Sequence, residues 1–244
     1  MRTANPALGA ETFKSFAGVA SAQTMTIDGT VNKTAILLFL LVAAALWPWT
    51  LGSADPSAVI PFVIGGAIGG LIFALVTIFK KEWSPVTAPV YAVLEGLVLG
   101  GISVIFEKQF HGIVMQAVGL TFGILFCLLL AYRSRLIKVT DNLRLGIVAA
   151  TGGIFLIYLV TFILGFFGIQ VPYIHGSGPW GIAFSVFVVI IASMNLVLDF
   201  DFIEKGAEMG APKYMEWYGA FGLMVTLIWL YLEILRLLAK TRSR

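Results

Sequence analysis

Seven apolar stretches, each about 20 residues long as a bilayer crossing requires, predict an all-α polytopic membrane protein, a seven-transmembrane-helix bundle. Composition supports that class. Hydrophobic residues make up 59% of the 244 and charged residues 12%, with a mean hydropathy of +0.95. The polar skin of a soluble domain could not cover so much apolar surface, whereas lipid can. Punctuation supports it too: Gly, Pro and Ser fall between the runs, which are too long and too little alternating to be strands.

In order, the runs predict helices over 34–51, 58–79, 88–106, 113–132, 145–168, 180–200 and 217–239. The breakers are Gly52 to Ser57, Ser84-Pro85, Pro172, Gly176 to Pro179, and Gly210-Ala211-Pro212. The chain then divides into a tail over 1–33, a transmembrane domain over 34–239 and a short basic end over 240–244. The first segment is rich in Ala, Ser, Thr and Gly and lacks an apolar core. It reads as a mostly disordered cytoplasmic tail and not as a cleavable signal, which needs a charged start and an apolar run. The first span then serves as the insertion signal.

Basic residues set the orientation. Eleven Lys and Arg residues lie in the first segment and the second, fourth and sixth loops, against Lys108 alone in the odd-numbered ones. That places the N-terminus in the cytoplasm, with a bacterial plasma (inner) membrane as the expected location. Arg236, Lys240, Arg242 and Arg244 then fall on the outer side. Six spans with one re-entrant segment would remove that conflict and is the alternative topology. Trp47, Trp49, Trp83, Trp180 and Trp217 stand near span ends, as an interfacial aromatic belt does. Glycines spaced four apart in Gly65 to Gly70, and Gly96 with Gly100, let helix backbones approach closely; packing within the chain is the expected use, ahead of homodimerisation. Cys127 lies within an apolar run and is expected to be a buried structural thiol.

A carboxylate inside a span is costly and marks a functional candidate. Glu95 stands about two turns into the third span with no basic residue three or four positions away. Asp199 and Asp201 end the sixth span. Two residues apart on a helix, they point about 200° from each other. Asp199 shares a face with Asn195; Asp201 shares one with Lys205, which suggests an interfacial ion pair and a solvated Asp201. Asp199 is therefore the stronger ion-binding or proton-sensing candidate. Glu233, one turn before Arg236, reads as a salt bridge at the membrane edge. His111 and His175 stand in separate loops, without the further ligands a metal site needs. No retinal-type lysine within the last span, no metalloprotease or hydrolase signature and no phosphate-binding loop occurs. The expectation is a protein that is not an enzyme and carries no cofactor.

Two segments carry a resemblance. Met194-Asn195-Leu196-Val197-Leu198-Asp199-Phe200-Asp201-Phe202-Ile203-Glu204 is similar to the end of the sixth helix in the Bax inhibitor (transmembrane Bax inhibitor motif) family, with Asp199 matching its aspartate. Leu230 to Leu238, with its Leu-Leu-Arg-like ending, resembles the closing helix of that family, and Asn5-Pro6-Ala7-Leu8 resembles a bacterial branch. The likeness implies a central last helix wrapped by six others. It also implies a proton-sensitive calcium leak, gated by an aspartate pair on the sixth and seventh helices.

Here the second aspartate has no counterpart; counting back from Arg236 places it at or beside Thr226. The second span also lacks the arginine that contacts the pair in some members. The expectation is that Glu95 stands in for the missing acid. Glu95, Asp199, Asn195 and Thr226 would then offer oxygens to a transient calcium ion, which prefers several oxygen ligands, and protons shared by the two acids would gate the path. The alternative is a non-transporting membrane regulator that binds another membrane protein, such as a protease or a death- or stress-pathway factor. A proton-coupled transporter ranks last, because no convincing repeat is visible. The expected partners are the bilayer, calcium or protons, and that membrane protein; nucleic acid is not among them.

Overall fold

The computed structural model describes residues 24–168 and 176–243. His175 and Pro172, and the segment before residue 24, lie outside them. Seven helices long and apolar enough to cross a membrane occur among the described residues. They are α1 (Ile27–Ala54), α2 (Ile60–Phe79, entered through a 3-10 turn Pro56–Val59), α3 (Ser84–Gln109), α4 (Ile113–Arg133), α5 (Asp141–Phe166), α6 (Pro179–Glu208) and α7 (Met215–Arg242).

Local chemistry sets the ends. Thr26 caps α1 by accepting from the Gly29 amide, and Thr140 caps α5 by accepting from the Leu143 amide. Pro56, Pro61, Pro85 and Pro179 sit in first turns, where a missing N–H costs nothing. Asp55 fixes the turn between α1 and α2 by accepting from the Ser57 hydroxyl and amide, bonds that hold its carboxyl below the usual range. Gly112, at φ 77, makes the tight turn into α4.

Several helices extend beyond expectation, most of all α6, which ends at Glu208 and not at 200, and α1. Helix α1 starts at Ile27, seven residues before the expected 34, so residues 24–33 are not a disordered tail. The Met25 amide donates to the Ala211 carbonyl at 2.7 Å, and the Met25 side chain is buried. Polar composition hid this, because the segment docks on protein and not on lipid. Helix α7 runs the full depth of the bundle. It starts beside Met25 and Ala211, and Arg242 near its end donates to the His111 carbonyl in the turn between α3 and α4. Seven described helices are each long and apolar enough to cross, which does not support the alternative of six spans with one re-entrant segment. Of the basic residues near the end of the chain, Arg236, Lys240 and Arg242 are engaged by the protein. Arg236 pairs with Glu233, Lys240 donates to the Gly181 carbonyl and Ser185, and Arg242 donates to loop carbonyls and Gln116.

Helix α7 is the centre. Helices α1, α3, α4 and α6 pack on it, while α2 packs on α3 and α5 on α6 as outer elements. Two of the three glycine pairs serve these contacts as expected, while a methyl on Gly65 would meet nothing within 4 Å. A methyl on Gly96 or Gly100 would press into the Leu41 or Ala45 carbonyl of α1, and Gly66 and Gly70 abut α3. Gly100→Ala is therefore expected to lower stability by about 1–3 kcal/mol through overpacking. Gly119→Ala, at a position with nothing within 4 Å, should change little; thermal unfolding in detergent separates the two.

Cys127 is exposed, contrary to expectation. The buried positions of α4 are Ile113, Ala117, Thr121 and Leu125, and Cys127 stands about 200° around from Leu125. An apolar run in a membrane protein has a lipid side as well as a core side.

Candidate functional site

Residues Asn195 to Ile203 of α6 are all buried, because three helices surround that stretch. On the α4 side, the Tyr132 ring lies 5.8 Å from that of Phe200. On the α5 side, Arg144 binds Asp201 and Thr151 meets Asn195. On the α7 side, Phe202 stands beside Tyr218.

Asp199 is fully buried in this stretch. A methyl on Gly219 of α7 would stand 3.2 Å from the Ile203 side chain. In that antiparallel register Asp199 is level with Leu223 of α7, about one turn from Thr226. Thr226 is buried and its hydroxyl donates to the Gly222 carbonyl at 3.3 Å. The Asn195 amide, on the Asp199 face as the spacing predicts, donates to the Thr151 hydroxyl and the Ile191 carbonyl, both at 2.9 Å. Its carbonyl oxygen makes neither of those bonds.

Asp201 turns to α5. It pairs with Lys205 at 2.7 Å, as the spacing predicts, and also with Arg144 at 2.8 Å. With 9% of its surface exposed it is not solvated, which corrects the sequence reading. In sequence Arg144 stands among the basic residues of the fourth loop, and nothing local ties it to a residue 57 positions on. Beside it, Glu204 accepts from Tyr132 and Arg135.

Glu95 lies elsewhere. It fills the space that Gly70 leaves on α2: a methyl there would stand 2.6 Å from its Oε1. Tyr91, one turn earlier, is its polar neighbour. Glu95 thus belongs to the seam between α2 and α3, while α6 lies beyond α7. The structure does not place Glu95 and Asp199 in one pocket, so the expectation that Glu95 substitutes for the missing partner is corrected. Two carboxylates at similar depth on helices of opposite direction need not share a seam.

Well inside the last helix Glu233 is also buried, 1% exposed. It pairs with Arg236 at 2.8 Å as expected, and Tyr158 of α5 donates to the same oxygen at 3.0 Å. A membrane-edge salt bridge understates this contact. Further along the same seam, Lys240 meets Ser185 and the Gly181 carbonyl. Polar groups therefore run along α5, α6 and α7 through most of the bundle: Arg144 with Asp201, Asp199, Asn195 with Thr151, Tyr158 with Glu233 and Arg236, and Ser185 with Lys240. Among the described residues no group of three or more His, Cys, Asp or Glu side chains is placed to hold a metal ion.

A bundle of seven apolar helices, the last of them buried at its centre, with an intramembrane polar seam, defines an integral membrane protein. A family profile described as Bax inhibitor 1 like matches residues 5–243, nearly the whole chain, and the protein belongs to that family. No curated protein and no solved structure matches the chain.

Proposed function

We propose that the protein is a pH-sensitive calcium leak channel of the Bax inhibitor type, with its N-terminus in the cytoplasm of a bacterial inner membrane. The observation that carries this reading is Asp199, fully buried at the position that matches the family aspartate and set within the polar seam of α5, α6 and α7. Charge inside a span is retained at a cost and accompanies ion or proton routes. The seam supplies oxygen ligands in succession, from Asp201 and Asp199 through Asn195 and Thr226 to Glu233. Arg144, Lys205 and Arg236 occupy the flanking carboxylates. A cation passing along the seam competes with these side chains, which describes a closed path. Protonation of Asp199 removes a charge from the contact between α6 and α7 and biases that contact, a local switch with a global readout.

Purified protein in liposomes loaded with a calcium indicator tests this. The leak should vary about tenfold between acidic and neutral pH, a change of about 1.4 kcal/mol in the gating equilibrium. Asp199→Asn should flatten the profile, and Glu95→Gln should leave it intact. No flux above that of empty liposomes removes the channel reading.

A second reading, a non-transporting regulator that binds another membrane protein, draws on α5. That helix packs mainly on α6 and leaves Leu145, Phe155, Leu156 and Phe162 exposed. A stoichiometric membrane-protein partner, together with absent flux, would favour it.

A further inference from the structure

Away from the polar seam, a cavity of about 440 Å³ opens between α1 and α4, with α3 and α7 as its floor. On α1 it runs from Leu38 to Trp49, about 16 Å at the helical rise and so about half the hydrocarbon thickness. Its mouth is formed by Val42, Leu46 and Met115, which are exposed and stand at the lipid-facing surface. That length suits an acyl chain reaching from the ester level toward the bilayer centre.

The lining is apolar with a small polar cluster toward the turn between α3 and α4. Ser103 Oγ and Tyr231 Oη lie 2.6 Å apart. Two hydroxyls carry two protons and this contact uses one, so the pair keeps a donor for a third group. One turn further out, Glu107 is spent on the helix start, accepting from the amides of Gly112 and Val114 at 2.5 and 3.1 Å. The polar level therefore lies near the membrane edge and the apolar depth lies below it, in the order of a glycerolipid's ester group and its chain.

We propose that this cavity is a binding site for one acyl chain of a glycerolipid, drawn from the leaflet on the side of the α3–α4 turn, with an ester carbonyl accepting from the Ser103–Tyr231 pair. The occupant is resident and distinct from the lipid that merely surrounds the bundle.

Native mass spectrometry of the full chain in mild detergent tests the site, with palmitoyl-oleoyl phosphatidylethanolamine and palmitic acid as separate probes. One phosphatidylethanolamine per chain is expected. Val118→Trp, which fills the cavity from α4, should lower the bound fraction about tenfold. Ser103→Ala should lower it about three- to tenfold through loss of one hydrogen bond. Should Val118→Trp fail to fold, Leu46→Trp at the exposed mouth serves the same purpose. The proposal is overturned by equal retention in the filled variant, by uptake of palmitic acid without the phospholipid, or by a lipid-free dimer.

Discussion

Asp201→Ala is expected to destabilise the protein by about 3–5 kcal/mol, the usual cost of removing one partner from a buried ion pair. Asp201 accepts from Arg144 at 2.8 Å and from Lys205 at 2.7 Å. The Arg144 side chain is only 9% exposed, and its other carboxylate, Asp141, is 97% exposed. Deleting Asp201 strands a guanidinium that water cannot fully reach, whereas Lys205 can turn outward. The loss should therefore exceed that of Lys205→Ala by several-fold, and the double variant Arg144→Met with Asp201→Leu should recover much of it, because the charges left without this pair, Lys205 and Asp141, can reach water. Thermal unfolding in detergent with a double-mutant cycle measures this. If Asp201→Ala unfolds at the wild-type midpoint, the pair contributes nothing to holding α5 on α6. The same variant separates two roles, because Asp201 acts here as a clamp and Asp199→Asn is the change expected to alter the pH response.

Glu216→Ala is the second large effect, at about 2–3 kcal/mol. Glu216 has no exposed surface. Its Oε1 accepts from the Thr26 amide at 3.0 Å, the Thr26 hydroxyl at 2.8 Å and Lys213 at 2.8 Å, while Lys33 stands 3.0 Å from Oε2. The carboxylate thus sits at the start of α1, where the helix presents unpaired amides and favours negative charge. It also occupies the space over Gly29, which has no side chain to oppose it. Without Glu216 the amide and hydroxyl of Thr26 lose their acceptor. The two lysines, 24% and 43% exposed, return to water, so the cost stays below that of Asp201→Ala. Glu216→Gln should fall between, since it keeps an acceptor and loses the charge. Hydrogen exchange at the first turn of α1 reports the loss directly; unchanged protection in Glu216→Ala would show that the start of α1 is held by other contacts.

How far the site was legible follows from the range of the rules used. Spacing of four residues identified Asp201 with Lys205 and Asn195 with Asp199, and a spacing of three identified Glu233 with Arg236. Each lies on one helix, where neighbours are fixed by the helical repeat. Arg144, Tyr158 and Thr151 reach their partners from α5, across 44 to 75 residues, and no local pattern carries that information. Glu216 escaped notice because it stands just before the apolar run of the last span, where an acid looks like ordinary interfacial polarity. Glu95 was assigned to the wrong seam: depth along a helix can be counted from sequence, but rotation about it depends on which neighbour the helix meets.

By itself the sequence determined the class, the number of spans and their approximate limits, and the family. In lipid each helix satisfies its own backbone, so a long apolar run suffices to define one. Tertiary structure alone decided that the last helix lies at the centre, that Asp199 and Glu95 face different seams, and that Arg236, Lys240 and Arg242 are bonded to the protein. Those outcomes depend on which side chains meet across helices, and hydropathy along the chain does not encode them, because lipid and protein interior present the same apolar surroundings.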